Sequence, residues 1–184
     1  MRACLTLLSL ALPAAAFAQG KSKITEFLPG TPGARACYAR AYDAKHLREH
    51  PRQRVTQMTV FLRVAGIDDT GDWVLDPKQK YGRLSYQFAM SVKRRGEKQM
   101  TTNGYCPEES RETFCARECD GGGVMLEKSA EAMLIRLDQF GIRMDGCDEE
   151  KSKWFKGGAD DKLFRLEKVS LEQCKALEKD ELGP

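Results

Sequence analysis

Hydrophobic side chains recur at every second position over most of this chain. Met58, Val60, Leu62 and Val64 alternate with Gln57, Thr59, Phe61 and Arg63. Leu84, Tyr86, Phe88, Met90 and Val92 alternate with Ser85, Gln87, Ala89, Ser91 and Lys93. A period of two puts one set of side chains on one face of a strand and buries it. Arg94-Arg95-Gly96-Glu97 reads as a hairpin connection to a more polar return strand, Lys98 to Tyr105. Phe114 to Cys119 and Gly123 to Lys128 flank Asp120-Gly121-Gly122, residues that accept the positive φ of a tight turn, so these two stretches are expected to pair. Met133, Ile135 and Leu137 alternate again, a break falls at Gln139 to Gly141, and Phe140, Ile142 and Met144 follow. Leu163 to Val169 is the last expected strand.

Two stretches depart from period two. Tyr38 to His50 reads as a short helix ended by Pro51, which disfavours helical geometry in the residue before it. Ser170, with Gln173 three positions on, reads as the cap of a terminal helix burying Leu171, Cys174 and Leu177. Seven or eight short strands with a helix near 39–50 and another near 171–180 predict an all-β domain: a small antiparallel β-barrel, or alternatively a β-sandwich. No strand–helix alternation suggests a nucleotide-binding sheet.

The first eighteen residues have a different pattern. Arg2 precedes an apolar run from Leu5 to Ala16, and Ala16-Phe17-Ala18 places small residues where signal peptidase reads them. The run is too short to span a bilayer. The expected organisation is a signal peptide over 1–18, a flexible lead-in over 19–36 and one β-rich domain over 37–184. A periplasmic or secreted location follows, with no stable membrane insertion after cleavage.

Export changes how the cysteines are read. Cys4 leaves with the signal, and Cys37, Cys106, Cys115, Cys119, Cys147 and Cys174 remain, an even set that predicts three disulfides. Cys115 and Cys119, four apart on a regular strand, share a face but lie too far apart to bond each other. Cys37 with Cys174 is the expected tie between the two terminal helices, with the other four pairing within the sheet. The formal charge of +3, lowered by one when Arg2 is lost, is too small to point to nucleic acid.

Candidate chemistry is sparse. His46 and His50 are the only histidines, spaced i, i+4, and on a helix they share a face; with Asp43 one turn earlier they form a candidate weak metal site. Leu47 stands where the zinc-protease motif needs its glutamate, so that activity is not indicated. Asp68 to Asp72 reads as a polar turn rather than a calcium loop, because the closing bidentate glutamate is missing. Trp73, in the loop from Asp68 to Asp76, and Trp154-Phe155, in the loop from Lys153 to Gly158, are candidate partner contacts. No nucleophile elbow, P-loop or dinucleotide fingerprint is present, and no cofactor is implied.

Ala36-Cys37-Tyr38-Ala39-Arg40, His46-Leu47-Arg48-Glu49-His50-Pro51 and Glu118-Cys119-Asp120-Gly121-Gly122-Gly123 together resemble a group of small exported bacterial proteins that have no known activity. The expected architecture is also similar to the disulfide-bearing barrels of bacterial lysozyme inhibitors, which implies an inhibitor-like role. The resulting expectation is a non-catalytic periplasmic binding protein whose partner is an envelope protein or a small ligand. The alternative is an envelope enzyme acting on glycans or peptides through two carboxylates roughly 5–10 Å apart.

Overall fold

The computed structural model describes residues 23–109, 112–146, 150 and 152–183. The expected signal peptide and Cys147 lie outside them. Ten strands form in chain order: β1 (Arg35–Ala41), β2 (Val55–Ile67), β3 (Trp73–Val74), β4 (Arg83–Arg94), β5 (Met100–Tyr105), β6 (Thr113–Ala116), β7 (Gly122–Ser129), β8 (Ala132–Met144), β9 (Lys153–Phe155) and β10 (Leu163–Val169). The sheet order is β1-β10-β8-β7-β6-β5-β4-β2, and β2 pairs back onto β1, so eight antiparallel strands close into a barrel. Closure leaves no edge among these eight, which removes the usual route to edge-to-edge association. Short β3 extends from β2, and β9 from β8.

The alternating sets fill the barrel. Met58, Val60, Leu62 and Val64 of β2 and Tyr86, Phe88, Met90 and Val92 of β4 belong to one buried cluster. Phe155, Phe164, Met133 and Ile135 join it from the opposite wall, so side chains occupy the interior. In β8 the inward set changes phase, with Met133 and Ile135 odd and Ile142 and Met144 even. Gly141, at φ 83°, lies in the irregular stretch between them, where β8 slips against β7. The expected break is thus a bulge within one strand. Phe140 is not part of the inward set; its ring is 60% exposed.

Several boundaries differ from those expected. Tyr38 to Ala41 is strand, not helix, because β1 pairs with β2 on one side and β10 on the other. Only α1 (Ala44–Glu49) is helical in that stretch. The fold also starts before residue 37. Ile24, Phe27 and Leu28 are buried, Lys128 Nζ donates to the Glu26 carbonyl at 3.1 Å, and Gly30 abuts Tyr86 and Leu84. Residues 24–30 therefore lie across the barrel end where β4 begins and β7 finishes.

The C-terminal helix covers the wall rather than an end. A 3-10 turn over Leu171–Cys174 leads into α2 (Lys175–Leu182). The Ser170 side chain makes no capping bond, and Leu171 is exposed, while Cys174 and Leu177 are buried against Phe61 and Ala89 on the outward faces of β2 and β4. Cys37 and Cys174 are disulfide-bonded, as expected, with Cα atoms 5.9 Å apart, but the bond ties the C-terminal turn to β1 rather than to a helix. Cys106 and Cys115 form a second disulfide. Cys119 is disulfide-bonded too.

Candidate functional site

The clearest candidate lies outside the barrel, where β3 meets β4 and β5. Antiparallel pairing of Ile67 with Trp73 fixes the start of β3. The turn before it is held by Asp68, whose Oδ1 accepts from the Thr70 hydroxyl at 2.7 Å and from the Thr70 and Asp72 backbone N–H groups, both at 2.9 Å. These bonds, the Thr70 hydroxyl first, hold the Asp68 carboxyl below its ordinary pKa. Asp68 to Asp72 is therefore a self-satisfied polar turn that aims Trp73 outward.

Trp73 is 48% exposed and lies against Tyr105, 37% exposed, with ring centroids 6.2 Å apart and planes only 17° from parallel. Tyr105 ends β5 immediately before the Cys106–Cys115 disulfide, and the Cys106 N–H donates to the Tyr86 carbonyl at 2.8 Å. Both rings thus stand on anchored backbone, the condition for a preorganised contact surface.

A hollow of about 430 Å³ opens beside the pair, lined also by Ile67, Arg83, Ser85 and Glu118. A second of about 570 Å³ adjoins it and shares Arg83 and Leu84, adding Tyr81, Glu108 and Glu109. Together they make a trough with aromatic walls and polar rims. Glu118 lines the same hollow as the aromatic pair, and burial, then the Glu118 charge, raise the Tyr105 pKa.

Tyr105, Arg83 and Glu118 were not evident as candidates in the sequence. The available signal was Tyr105 itself, an aromatic ring on the outward phase of a strand whose other outward residues are Thr101 and Asn103.

The second tryptophan has a different environment. Trp154, 39% exposed, sits on β9 opposite Arg143, whose guanidinium lies 5.3 Å from its ring centroid, and Lys156 Nζ lies at 5.8 Å. Its π faces therefore already carry cations from this chain. Phe155 is no contact residue: it is 1% exposed and packs 6.1 Å from Phe164 in the core. Period two explains the difference, since neighbours on a strand face opposite ways.

The histidines come together at α1. His46 and His50 stack at 4.4 Å, and Tyr42 stacks on His46 at 4.8 Å. Gln53 Nε2 donates to the Val55 carbonyl, so its oxygen accepts, and the 3.0 Å bond to His46 Nε2 assigns the ring proton to that nitrogen. Asp43 Oδ1 accepts from the His46 backbone N–H at 2.8 Å as the α1 N-cap. That bond, first among several causes, lowers the Asp43 pKa. Among the described residues no group of three or more His, Cys, Asp or Glu side chains is placed to hold a metal ion.

No helix among the described residues is long and apolar enough to cross a membrane, and the disulfides fit an oxidising compartment. Comparison with known proteins finds no matching family model, curated protein or solved structure.

Proposed function

We propose that this chain is a non-catalytic binding protein of the bacterial periplasm or cell exterior, and that the trough beside Trp73 and Tyr105 is where it holds its partner. The observation that carries this reading is the pair of exposed, nearly parallel rings fixed on a disulfide-anchored barrel wall. Large apolar rings in water are unfavourable unless something covers them, and exposed aromatics held rigidly lose little entropy on binding. The barrel serves as a scaffold and the trough as its contact surface.

The test is capture from an envelope extract with chemical crosslinking. Wild-type protein recovers a species that Trp73→Ala fails to recover, while Trp154→Phe recovers it normally. Equal recovery by Trp73→Ala, or nothing above a control barrel, would overturn the proposal.

The enzymatic reading keeps one supporting observation, because Glu108, Glu109 and Glu118 line the same trough. It requires hydrolysis of an envelope glycan or peptide that is lost in Glu118→Gln or Glu108→Gln. Turnover that survives both substitutions would exclude the trough as its site.

A further inference from the structure

Building on the reading of the Trp73 trough as a binding site, we infer that its occupant is the cationic side chain of a lysine or arginine carried on a peptide segment of a partner protein.

The argument starts from what the molecule does with its other aromatic rings. Arg143 and Lys156 lie over Trp154, Arg40 lies 5.5 Å from the Tyr42 centroid, and Lys128 lies 5.8 Å from that of Phe27. Among the described residues no cation lies over Trp73 or Tyr105, the pair that offers the most exposed indole. An aromatic face attracts a cation through its quadrupole, most strongly at indole. Among the described residues that position is filled at these three rings and is open at the trough.

Charge points the same way. Among the described residues that line the trough, Glu118, Glu108 and Glu109 stand against one cation, Arg83. Among the described residues none of these three carboxylates forms an ion pair. The Tyr86 hydroxyl donates to Glu108 at 3.3 Å, which fixes the carboxylate without neutralising it. A cationic side chain laid along the trough would put its methylenes on Leu84 and the rings, and its charge among the carboxylates. Lysine and arginine have that amphipathic form. An acidic ligand would meet three like charges. A neutral sugar would use the rings but gain nothing from the carboxylate excess.

Arg83 makes the inference testable by sign. For a cationic occupant it is a like charge, so its removal tightens binding; for an anionic or sugar ligand it is a donor, so its removal weakens binding. The probe is acetyl-Gly-Lys-Lys-Gly-amide, read by Trp73 fluorescence in the full mature chain carrying Trp154→Phe. Controls replace both lysines with norleucine or glutamate, and a fourth probe is a neutral N-acetylglucosamine oligomer.

The lysine peptide should saturate the signal. Its affinity should fall about tenfold in Tyr105→Ala, the size expected for losing one aromatic face. It should fall about threefold in Glu118→Gln, rise about threefold in Arg83→Gln, and weaken with added salt, as exposed charge pairs do. Equal affinity for the norleucine peptide, no saturable response to lysine, or weaker binding in Arg83→Gln would overturn the cationic occupant. If the sugar or glutamate probe alone saturates, the trough still binds and only its occupant is misassigned. If no probe binds and Trp73→Ala also leaves envelope capture unchanged, the binding-site reading fails with it.

Discussion

Arg63 occupies an outward position on β2, yet only 2% of it is exposed, because α2 lies over that wall. Its Nε donates to Gln87 Oε1 at 2.9 Å, and its two terminal nitrogens donate to the Gly183 and Leu182 carbonyls at 3.2 and 3.0 Å. Glu178 lies 3.8 Å away and also pairs with Arg35. One guanidinium thus satisfies carbonyls at the end of α2, where a helix leaves acceptors unpaired and its dipole favours a cation. Arg63→Ala should destabilise the fold by about 2–4 kcal/mol, since it strands the buried Gln87 acceptor and two partly buried carbonyls as well as a carboxylate. Urea unfolding monitored by circular dichroism measures this; a loss below about 0.5 kcal/mol, typical of surface substitutions, would contradict it. None of this was legible in the sequence, where Arg63 reads as a solvent-facing residue. What covers a barrel's outer wall depends on where the chain's distant end returns.

At the same scale, buried phenols set an alkaline limit. Burial first, then the charge of Glu108 and its hydrogen bond, push the Tyr86 pKa from 10.0 up to about 12. Burial also raises Tyr38 and Tyr42. A raised folded-state pKa means that the folded state holds its proton more tightly than the unfolded one. The resulting stability is complete below pH 10 and is lost as pH climbs through about 12. The urea midpoint should hold steady from pH 8 to 9.5 and then fall between pH 10 and 12. Phenolate absorbance at 295 nm should develop its last fraction only as the protein unfolds. An unchanged midpoint at pH 11.5 would show these phenols titrating freely.

Among the elements, β8 shows how much a periodic pattern can carry. The odd-then-even phase of its inward residues is readable in the sequence, and so is the glycine beside the shift. What the pattern does not reveal is that pairing continues through the irregularity, because that depends on β7 accepting a changed register. Gly141 has φ 83°, and a Cβ there would run into the Phe155 carbonyl oxygen. Gly141→Ala should therefore lower stability by about 1–3 kcal/mol and loosen β9, whose residues 153–155 pair with 142–144. Thermal unfolding checks the first effect and the environment of Trp154 the second. A melting temperature within a degree of wild type would mean the bulge relaxes at no cost. Tyr38 to Ala41 gives the opposite lesson. Alanine and arginine favour helix locally, but two-sided pairing in a closed sheet overrides that weak preference. The trough was only half legible for the same reason: Trp73 stood out, whereas Arg83 reaches it from the start of β4 and Glu118 from the turn after β6, far along the chain.

For the molecule as a whole, the outcome depends on what holds α2 against the barrel. An eight-residue helix is too short to persist in water alone, so its structure depends on docking. Leu177, Arg63 and the Cys37–Cys174 disulfide supply that docking, and the disulfide closes a separation of 137 residues. Constraining so long a loop in the unfolded chain stabilises by about 2–5 kcal/mol. The double variant Cys37→Ala/Cys174→Ala should therefore unfold at lower urea while keeping the circular dichroism of a β-barrel, because closure by β1, β2 and β10 needs no crosslink. Its weakest region should be the uncovered wall. Amide hydrogens in residues 171–182 should exchange faster, followed by those of β2 near Phe61, while those of β7 and β8 keep their protection. Ligand binding at the trough should survive, since Tyr105 is anchored by the separate Cys106–Cys115 bridge. Uniformly faster exchange across all strands would show that the barrel and its C-terminal helix open as one unit.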